Sequence, residues 1–235
     1  MFKNLLGRFI PSRCHACGNT QDFNSLNGWR FPLLCDRCRE ALRPEPLPED
    51  LAPGFPMLAA YEAEKTLIGL VKAWKYGSDD AAAVPLARAM AERLSTCDWP
   101  RPWILVPVPL SPIRGLRRGF NQSGILASEI ARSLKLGRPR RLLTRSLTSG
   151  RQAGRGRKER KLLAASEFRR RGKIPKDATL IIVDDLCTTG ATLMACRSAL
   201  GHETTLRCAA LVAGRVPERG LRFSSGSSLD SGEQR

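Results

Sequence analysis

A short segment around residue 185 constrains the fold of this chain more than any other. It begins with the apolar residues 180–183, continues with the paired acids Asp184 and Asp185, and reads Thr-Thr-Gly-Ala-Thr at residues 188–192 before a helical pattern. A continuous apolar run bounded by turn residues is typical of a strand that is buried on both faces. The segment therefore predicts a strand–turn–helix unit of an α/β sheet.

The residue types in this segment indicate what it can bind. Open α/β sheets bind ligands at the carboxyl ends of their strands, where the paired acids stand. Small residues let backbone N–H groups approach a phosphate, threonine hydroxyls add donors, and a helix N-terminus favours an anion. Carboxylates can accept hydrogen bonds from vicinal ribose hydroxyls. The sequence thus predicts a site for a 5′-phosphoribosyl group, against the alternative of an ordinary turn with a capping threonine; its residues are Asp184, Asp185, Thr188, Thr189, Gly190, Ala191 and Thr192.

Other apolar patterns extend this unit into a sheet. A continuous apolar run predicts a buried strand at residues 103–108, and mainly apolar runs predict two more at 179–183 and 206–212. Apolar residues at helical spacing predict helices near residues 67–74, 86–94, 124–134 and 190–200. Buried strands that alternate with amphipathic helices favour a largely parallel α/β sheet. Residues 138–176 are rich in Arg, Gly and Ser, and we expect a mobile functional loop there.

Four of the eight cysteines form a C-x2-C-x17-C-x2-C pattern, namely Cys14, Cys17, Cys35 and Cys38. Two such pairs are typical of a closed tetrahedral zinc site, and an iron–sulfur or redox site is the alternative. The sequence therefore predicts an N-terminal helix and zinc module over residues 1–45. A proline-rich linker over 46–53, a main domain over 54–217 and a disordered tail over 218–235 are expected to follow.

The excess positive charge of the chain lies in one block. Residues 101–177 contain 21 Lys and Arg against 4 Asp and Glu, whereas the rest of the chain contains 18 of each. This distribution indicates a polyanionic partner, either a phosphate ligand or nucleic acid, with a solvated basic face as the alternative. Between residues 104 and 222 the aromatic residues are Phe120 and Phe168. Contact with single-stranded DNA would therefore be electrostatic and strongly salt-dependent, because few aromatic side chains can stack on bases.

The location of the protein is predicted from its apolar runs. The longest runs are far shorter than the ~20 residues that a membrane span needs. The first eleven residues lack the long apolar core of a secretory signal. We therefore expect a cytoplasmic protein without a membrane span.

The motifs in this chain together resemble a known family. Residues 184–192 resemble the signature of type I phosphoribosyltransferases, which bind phosphoribosyl pyrophosphate (PRPP). The remainder resembles the ComF family, a branch associated with DNA uptake in naturally competent bacteria. Over residues 1–215 the motifs are, in order, the two Cys-x-x-Cys pairs, Lys-Tyr-Gly at 75–77, Val-Pro-Val-Pro-Leu at 106–110, Arg-Arg-Gly-Phe-Asn-Gln at 117–122, and the set Arg145, Thr148, Gln152, Arg160 and Phe168.

The resemblance implies a type I phosphoribosyltransferase-like parallel sheet with a hood, a pyrophosphate loop after Val108 and a flexible catalytic loop near residues 145–165. It implies that Asp184 and Asp185 hold the ribose hydroxyls, that residues 188–192 hold the 5′-phosphate, and that magnesium bridges pyrophosphate and ribose oxygens. The candidate catalytic residues are Asp184, Asp185 and Arg160. The candidate pyrophosphate or anion ligands are Arg114, Arg117 and Arg118, because the planar guanidinium suits phosphate oxygens.

Three functions are compatible with these motifs. The first is a magnesium-dependent phosphoribosyltransferase of nucleotide metabolism that acts on an unidentified base or amine. The second is a protein that binds PRPP and handles single-stranded DNA, with a helicase-like partner, during natural transformation. The third is PRPP-regulated metabolism without DNA. Leu163 stands where the family usually has Asn, and Arg155 where an apolar residue is often found. Because both positions fall in the expected catalytic loop, we favour the second function.

Overall fold

The computed structural model of the chain describes Cys14 and residues 49–62, 68, 71, 74, 83–111, 115, 119–146, 167–201 and 205–213. Its strands are β1 (Glu49–Ala52), β2 (Phe55–Glu62), β3 (Trp103–Pro107), β4 (Leu143–Arg145), β5 (Phe168–Arg170), β6 (Thr179–Cys187) and β7 (Leu206–Ala213). Its helices with described ends are α1 (Ala83–Ser95), α2 (Gln122–Ser133) and α3 (Ala191–Leu200). Ile68, Val71 and Trp74 are also helical.

Five of the strands form the central sheet, in the order β1-β2-β7-β6-β3. Strands β2, β7, β6 and β3 run parallel, and β1 joins β2 as an antiparallel hairpin. Strand β6 has β7 on one side and β3 on the other, and its residues 179–183 are all buried, as a strand covered on both faces requires. The prediction of an α/β fold with a largely parallel sheet is confirmed.

Helices cover both faces of this sheet. On one face, α1 packs over β2 and β7 and α2 packs over β6 and β3, with buried side chains that include Leu86, Met90, Leu94, Leu126 and Ile130. On the other face, α3 packs through Leu193, Cys196 and Leu200 against Leu180 and Ile182 of β6. Each fully buried aliphatic side chain of this kind contributes about 1.5–3 kcal/mol relative to exposure. The apolar positions recur every three or four residues along each helix, so one stripe of each helix faces the sheet.

Strands β4 and β5 lie in the segment for which we expected a mobile loop. They pair antiparallel, with Leu143 opposite Arg170 and Arg145 opposite Phe168. Leu142, Leu143 and Phe168 are buried in the same cluster as α3. The two ends of that segment are therefore an ordered hairpin, held by three apolar side chains among many arginines. The expected catalytic loop with Arg160 lies between these ends, outside the described residues.

The N-terminal part of the chain is described at two places. Cys14 is buried in the core cluster that contains Val71 and Trp74. Strand β1 lies within the stretch predicted to be a linker, and its Leu51 and Ala52 pack against the α3 face of the sheet. The rest of the predicted zinc module and the C-terminal tail lie outside the described residues. Across the described part, no helix has the length and apolar character needed to cross a bilayer.

Candidate ligand-binding site

The predicted site residues lie at the carboxyl end of β6. Strand β3 ends at Pro107, opposite Val183, while β7 continues to pair with β6 as far as Cys187. Our sequence prediction ended this strand at Val183, but β6 includes both acids because the pairing with β7 keeps them extended. Asp184 and Asp185 therefore stand beyond the end of a neighbouring parallel strand, which is where α/β sheets bind their ligands.

The Asp184 carboxylate is held by two hydrogen bonds to one oxygen. Ser123 Oγ, in the first turn of α2, donates to Asp184 Oδ1 over 3.0 Å, and the Asp185 N–H donates to the same atom over 2.9 Å. Ser123 is almost completely buried. Because hydrogen bonds to a charged acceptor are stronger than neutral ones, α2 fixes the orientation of this carboxylate. Sequence reasoning missed Ser123, since no local pattern links it to a residue 61 positions away.

The two acids differ in their access to solvent. Asp184 is half-buried, whereas Asp185 is only 7% exposed. A ligand that approaches from solvent meets the Asp184 carboxylate more readily. The sequence prediction treated the two as equivalent, because a pair of adjacent acids does not reveal which side chain the strand turns inward.

The turn at residues 188–192 presents its hydroxyl groups to solvent. Thr188 and Thr189 are exposed, and Thr192 is half-buried. Gly190 is buried and adopts the left-handed conformation (φ 70°, ψ −1°) as the N-cap of α3, and the Thr189 hydroxyl accepts a hydrogen bond from the Ala191 N–H over 3.5 Å. Exposed hydroxyls beside a helix N-terminus can bind an anion, because the first-turn amides of a helix lack intrahelical acceptors. The hydroxyl-bearing side chains of Thr188 and Thr189 are thus open to solvent, whereas Gly190 is buried.

A buried cysteine lies next to the turn. Burial raises the pKa of the Cys187 thiol at the end of β6 to about 11; the nearby Asp184 carboxylate adds to the rise, and the Gly190 backbone opposes it. Cys187 is therefore a neutral thiol at physiological pH.

The loop after β3 returns to the site at the start of α2. Asn121 Nδ2 donates to the Val108 carbonyl over 3.0 Å and so ties the two ends of the loop together. Within the loop, the Gly115 N–H donates to Ser111 O and the Gly119 N–H donates to Gly115 O, both over 2.9 Å. The predicted pyrophosphate ligands Arg114, Arg117 and Arg118 belong to this loop but lie outside the described residues.

The β4–β5 hairpin packs against α3. Arg145 Nε donates to Glu167 Oε1 over 2.7 Å, and the guanidinium lies 5.1 Å from the centroid of the Phe168 ring. Burial raises the pKa of the Cys196 thiol in α3; the charges of Asp184 and Glu167 add to the rise, and Arg145 opposes it. The charges of Asp184, Arg145 and Glu167 thus all act on the same thiol. Arg145 and Glu167 flank, in sequence, the segment that contains Arg160.

A dense set of cations surrounds the same hairpin. Eight exposed side chains form what we call the basic surface: Arg138, Arg140, Arg141, Arg169, Arg170, Arg171, Lys173 and Lys176. The Arg140 N–H donates to the Leu105 carbonyl at the β3 edge, and its guanidinium donates to Lys173 O. Within the described ranges, none of the eight forms an ion pair with a carboxylate, whereas Arg145 and Arg132 do. The basic surface is therefore available to an external polyanion.

A cavity of about 1020 Å³ lies beside α2, away from the paired acids. The loop after β3, the outer side of α2 and residues 136–143 enclose it, with Phe120 and Ile125 among its lining and Arg138 and Arg141 at its edge. The acids and the 188–192 turn do not line it. The predicted ligand site is therefore separate from this cavity.

The predicted zinc ligands are described only in part. Cys14 is buried, and Cys17, Cys35 and Cys38 lie outside the described residues. Among the residues with described positions, no cluster of three or more His, Cys, Asp or Glu side chains is arranged to hold a metal. The zinc prediction therefore stays a prediction.

Comparison with known proteins gives one informative relative. No protein-family model matches the chain. The chain is 37% identical over 91 residues to the Competence protein ComFC of Bacillus subtilis (strain 168). The match covers 39% of this chain and 35% of that protein, so the chain spans about a third of the length of this relative.

Proposed function

We propose that the protein binds a 5′-phosphoribosyl ligand and acts in single-stranded DNA handling during natural transformation. The partial match to ComFC supports the resemblance of this chain to the ComF family. PRPP is the first candidate ligand. The matched relative is a competence protein by name, and this supports the DNA half of the proposal. The ligand half requires a type I phosphoribosyltransferase-like site at the end of β6.

One observation carries the ligand half: a strand that bears two acids leads into an exposed turn of small residues at the N-terminus of α3. The Asp184 carboxylate, oriented by Ser123, can accept hydrogen bonds from the ribose hydroxyls. The exposed hydroxyls of Thr188 and Thr189 can donate to the 5′-phosphate, and the dipole of α3 favours its charge. The two acids and the threonine hydroxyls are separated only by Leu186 and Cys187 at the end of β6, so one sugar phosphate could reach both.

Magnesium fits this donor set. Mg²⁺ prefers oxygen ligands and usually binds through one or two carboxylates plus the phosphates of its substrate. Asp184, the half-buried acid, offers one such carboxylate, and we propose that it would help to hold a magnesium ion that arrives with PRPP, whereas Asp185 is only 7% exposed. The ion would neutralise charge on the pyrophosphate. Arg114, Arg117 and Arg118 would contact the same group from the loop after β3.

The ligand half is tested by calorimetric titration with PRPP and magnesium. We expect Asp184→Asn to weaken binding at least about tenfold, since it removes a charged acceptor whose hydrogen bonds are worth about 1.5–3 kcal/mol. Asp177→Asn is the matched control, because Asp177 is an exposed acid in the turn that precedes β6. Equal affinity of all three proteins, or no binding by the unmodified protein, would overturn this half.

The basic surface supports the DNA half. Its eight exposed cations, without carboxylate partners among the described residues, match the charge of a phosphate backbone better than a single ligand phosphate. We further propose that the cysteine pairs bind a structural zinc ion that helps to dock DNA or a helicase-like partner, and that the protein works in the cytoplasm.

A catalytic role is the second candidate, and the position of the β4–β5 hairpin favours it. The hairpin flanks the expected catalytic loop in sequence and packs against α3, whose N-terminus follows the 188–192 turn, so Arg160 could approach a ligand there. A magnesium-dependent phosphoribosyltransferase would release pyrophosphate from PRPP with a suitable acceptor, and Asp184→Asn would abolish the release. PRPP binding without release across a broad set of bases and amines would exclude this role.

A further inference from the structure

The β1–β2 hairpin contacts the 188–192 turn directly through Leu51. A Cβ atom added to Gly190 would lie 2.4 Å from Leu51 Cδ1 and 3.0 Å from both Cδ2 and Cγ. The Leu51 side chain therefore lies against the Cα atom of Gly190 and occupies the space that any side chain at position 190 would need. Leu51 is 139 residues away in sequence, and no sequence pattern connects it to the turn.

The hairpin that carries Leu51 is fixed to the body of the protein. The Arg197 guanidinium of α3 donates to the Pro53 carbonyl over 3.2 Å and lies 4.9 Å from the centroid of the Phe55 ring. Phe55 is fully buried, and the Cys208 thiol of β7 donates to the Pro56 carbonyl over 3.6 Å. The contact with Gly190 is therefore made by an anchored element.

Gly190 is restrained by this contact as a result. Its Cα is covered by Leu51, and its backbone lies near the Cys187 sulfur. A glycine populates both positive and negative φ readily, so the left-handed conformation at φ 70° needs such restraints to persist as a single state. The directions of the amides and hydroxyls that follow depend on this one backbone conformation.

We propose that Leu51 is a positioning residue for the 188–192 turn, and that it holds the turn in the geometry that binds a phosphate. The inference rests on the proposed function of the turn and extends it to a residue outside every motif that the sequence offered. Leu51 touches no ligand in this role. Its effect comes from preorganisation, because a turn that is already ordered loses less conformational entropy when an anion binds.

The test compares two truncations of similar size. Leu51→Ala removes the contact with Gly190, and Ile174→Ala removes another half-buried aliphatic side chain that packs on the same cluster. Titration with PRPP and magnesium, and with ribose 5-phosphate, should show binding about tenfold weaker for Leu51→Ala. We expect Ile174→Ala to bind within about twofold of the unmodified protein at a similar loss of thermal stability, and Leu51→Met to restore most of the affinity.

A second measurement needs no ligand. Amide hydrogen exchange at residues 189–192 should accelerate in Leu51→Ala and stay unchanged in Ile174→Ala. If the unmodified protein binds no phosphoribosyl ligand, the proposed function fails, and the exchange rates still decide whether Leu51 orders the turn. Unchanged exchange in Leu51→Ala, or ligand affinity equal to that of the unmodified protein, would overturn the positioning role.

Discussion

At the scale of single residues, Gly190 combines a conformational and a steric requirement. Its φ of 70° is a region that side-chain-bearing residues rarely adopt, and the Leu51 side chain fills the space beside it. Left-handed strain costs of order 1–3 kcal/mol, and overpacking a contact costs about as much again. The two penalties arise independently and can be separated by mutation.

Gly190→Ala is therefore predicted to lower the free energy of unfolding by about 2–4 kcal/mol, measured by urea denaturation. Gly54→Ala is the matched control, because Gly54 has a similar φ of 67° but nothing within 4 Å of an added Cβ. The control should show the conformational penalty alone. Adding Leu51→Ala to Gly190→Ala should recover the steric part. The steric explanation is wrong if Gly190→Ala costs no more than Gly54→Ala.

The sequence predicted the candidate site residues that are close to one another along the chain. It missed two residues that contact them from distant parts of the sequence. Asp184, Asp185 and the 188–192 turn lie within nine residues of one another, so their chemistry could be recognised as one motif. Ser123 and Leu51 act on that motif from α2 and β1. Each is a common residue type in an ordinary context, and only the folded sheet brings it to the turn.

At the scale of elements, three of the central strands could be predicted, whereas the central strand β2 and the short strands were missed. Strands β3, β6 and β7 contain runs of mainly apolar residues, and such runs are a strong signal of strands covered on both faces. Strands β4 and β5 have three residues each, which is too few for an alternating pattern to be distinguished from a polar loop. Strand β1 has four residues and follows a proline-rich stretch, so its sequence favoured a linker.

Buried thiols on β6, α3 and β7 make the free energy of unfolding depend on pH in the alkaline range. They belong to Cys187, Cys196 and Cys208. Burial raises the pKa of Cys187 to about 11 and raises those of Cys196 and Cys208 well above the ordinary thiol value, with the Asp184 charge contributing to each. In the unfolded chain the thiols ionise from about pH 9. Above that pH the folded protein binds more protons than the unfolded one, so the free energy of unfolding falls as pH rises.

We predict that the free energy of unfolding decreases between pH 9 and pH 11 under reducing conditions, by up to ~1.4 kcal/mol per pH unit for each thiol. Cys196→Ala should make this decrease shallower, because it removes one of the groups that ionise only on unfolding. Urea denaturation at pH 7.5, 9 and 10 provides the measurement. Equal pH dependence in the variant and the unmodified protein would show that Cys196 is not among those groups.

At the scale of the whole molecule, the acids of the candidate ligand site and the cations of the basic surface lie in different parts of the fold. The acids lie at the end of β6, while the basic surface surrounds the β4–β5 hairpin and the β3 edge. The sequence located the excess positive charge in residues 101–177. Residues of one such segment could still have been distributed over the whole surface of the folded protein. Eight of its twelve described Lys and Arg residues instead lie in two neighbouring segments, residues 138–141 and 169–176, which a hydrogen bond joins at Arg140 and Lys173. A single-stranded phosphate backbone could run along both.

If the basic surface binds single-stranded DNA, affinity must fall steeply with salt, because each phosphate contact releases counterions. For single strands the slope of log K against log salt is about −0.7 per contact. Replacing Arg169, Arg170 and Arg171 with Ala should make the slope about two units shallower, measured by fluorescence anisotropy with an unstructured oligonucleotide from 50 to 200 mM salt. Arg88→Ala is the control, since Arg88 is an exposed arginine on α1 at the opposite face of the sheet. If the triple variant has the same slope as the unmodified protein, any bound DNA contacts a different surface. The clustering of cations in the basic surface would then need another explanation.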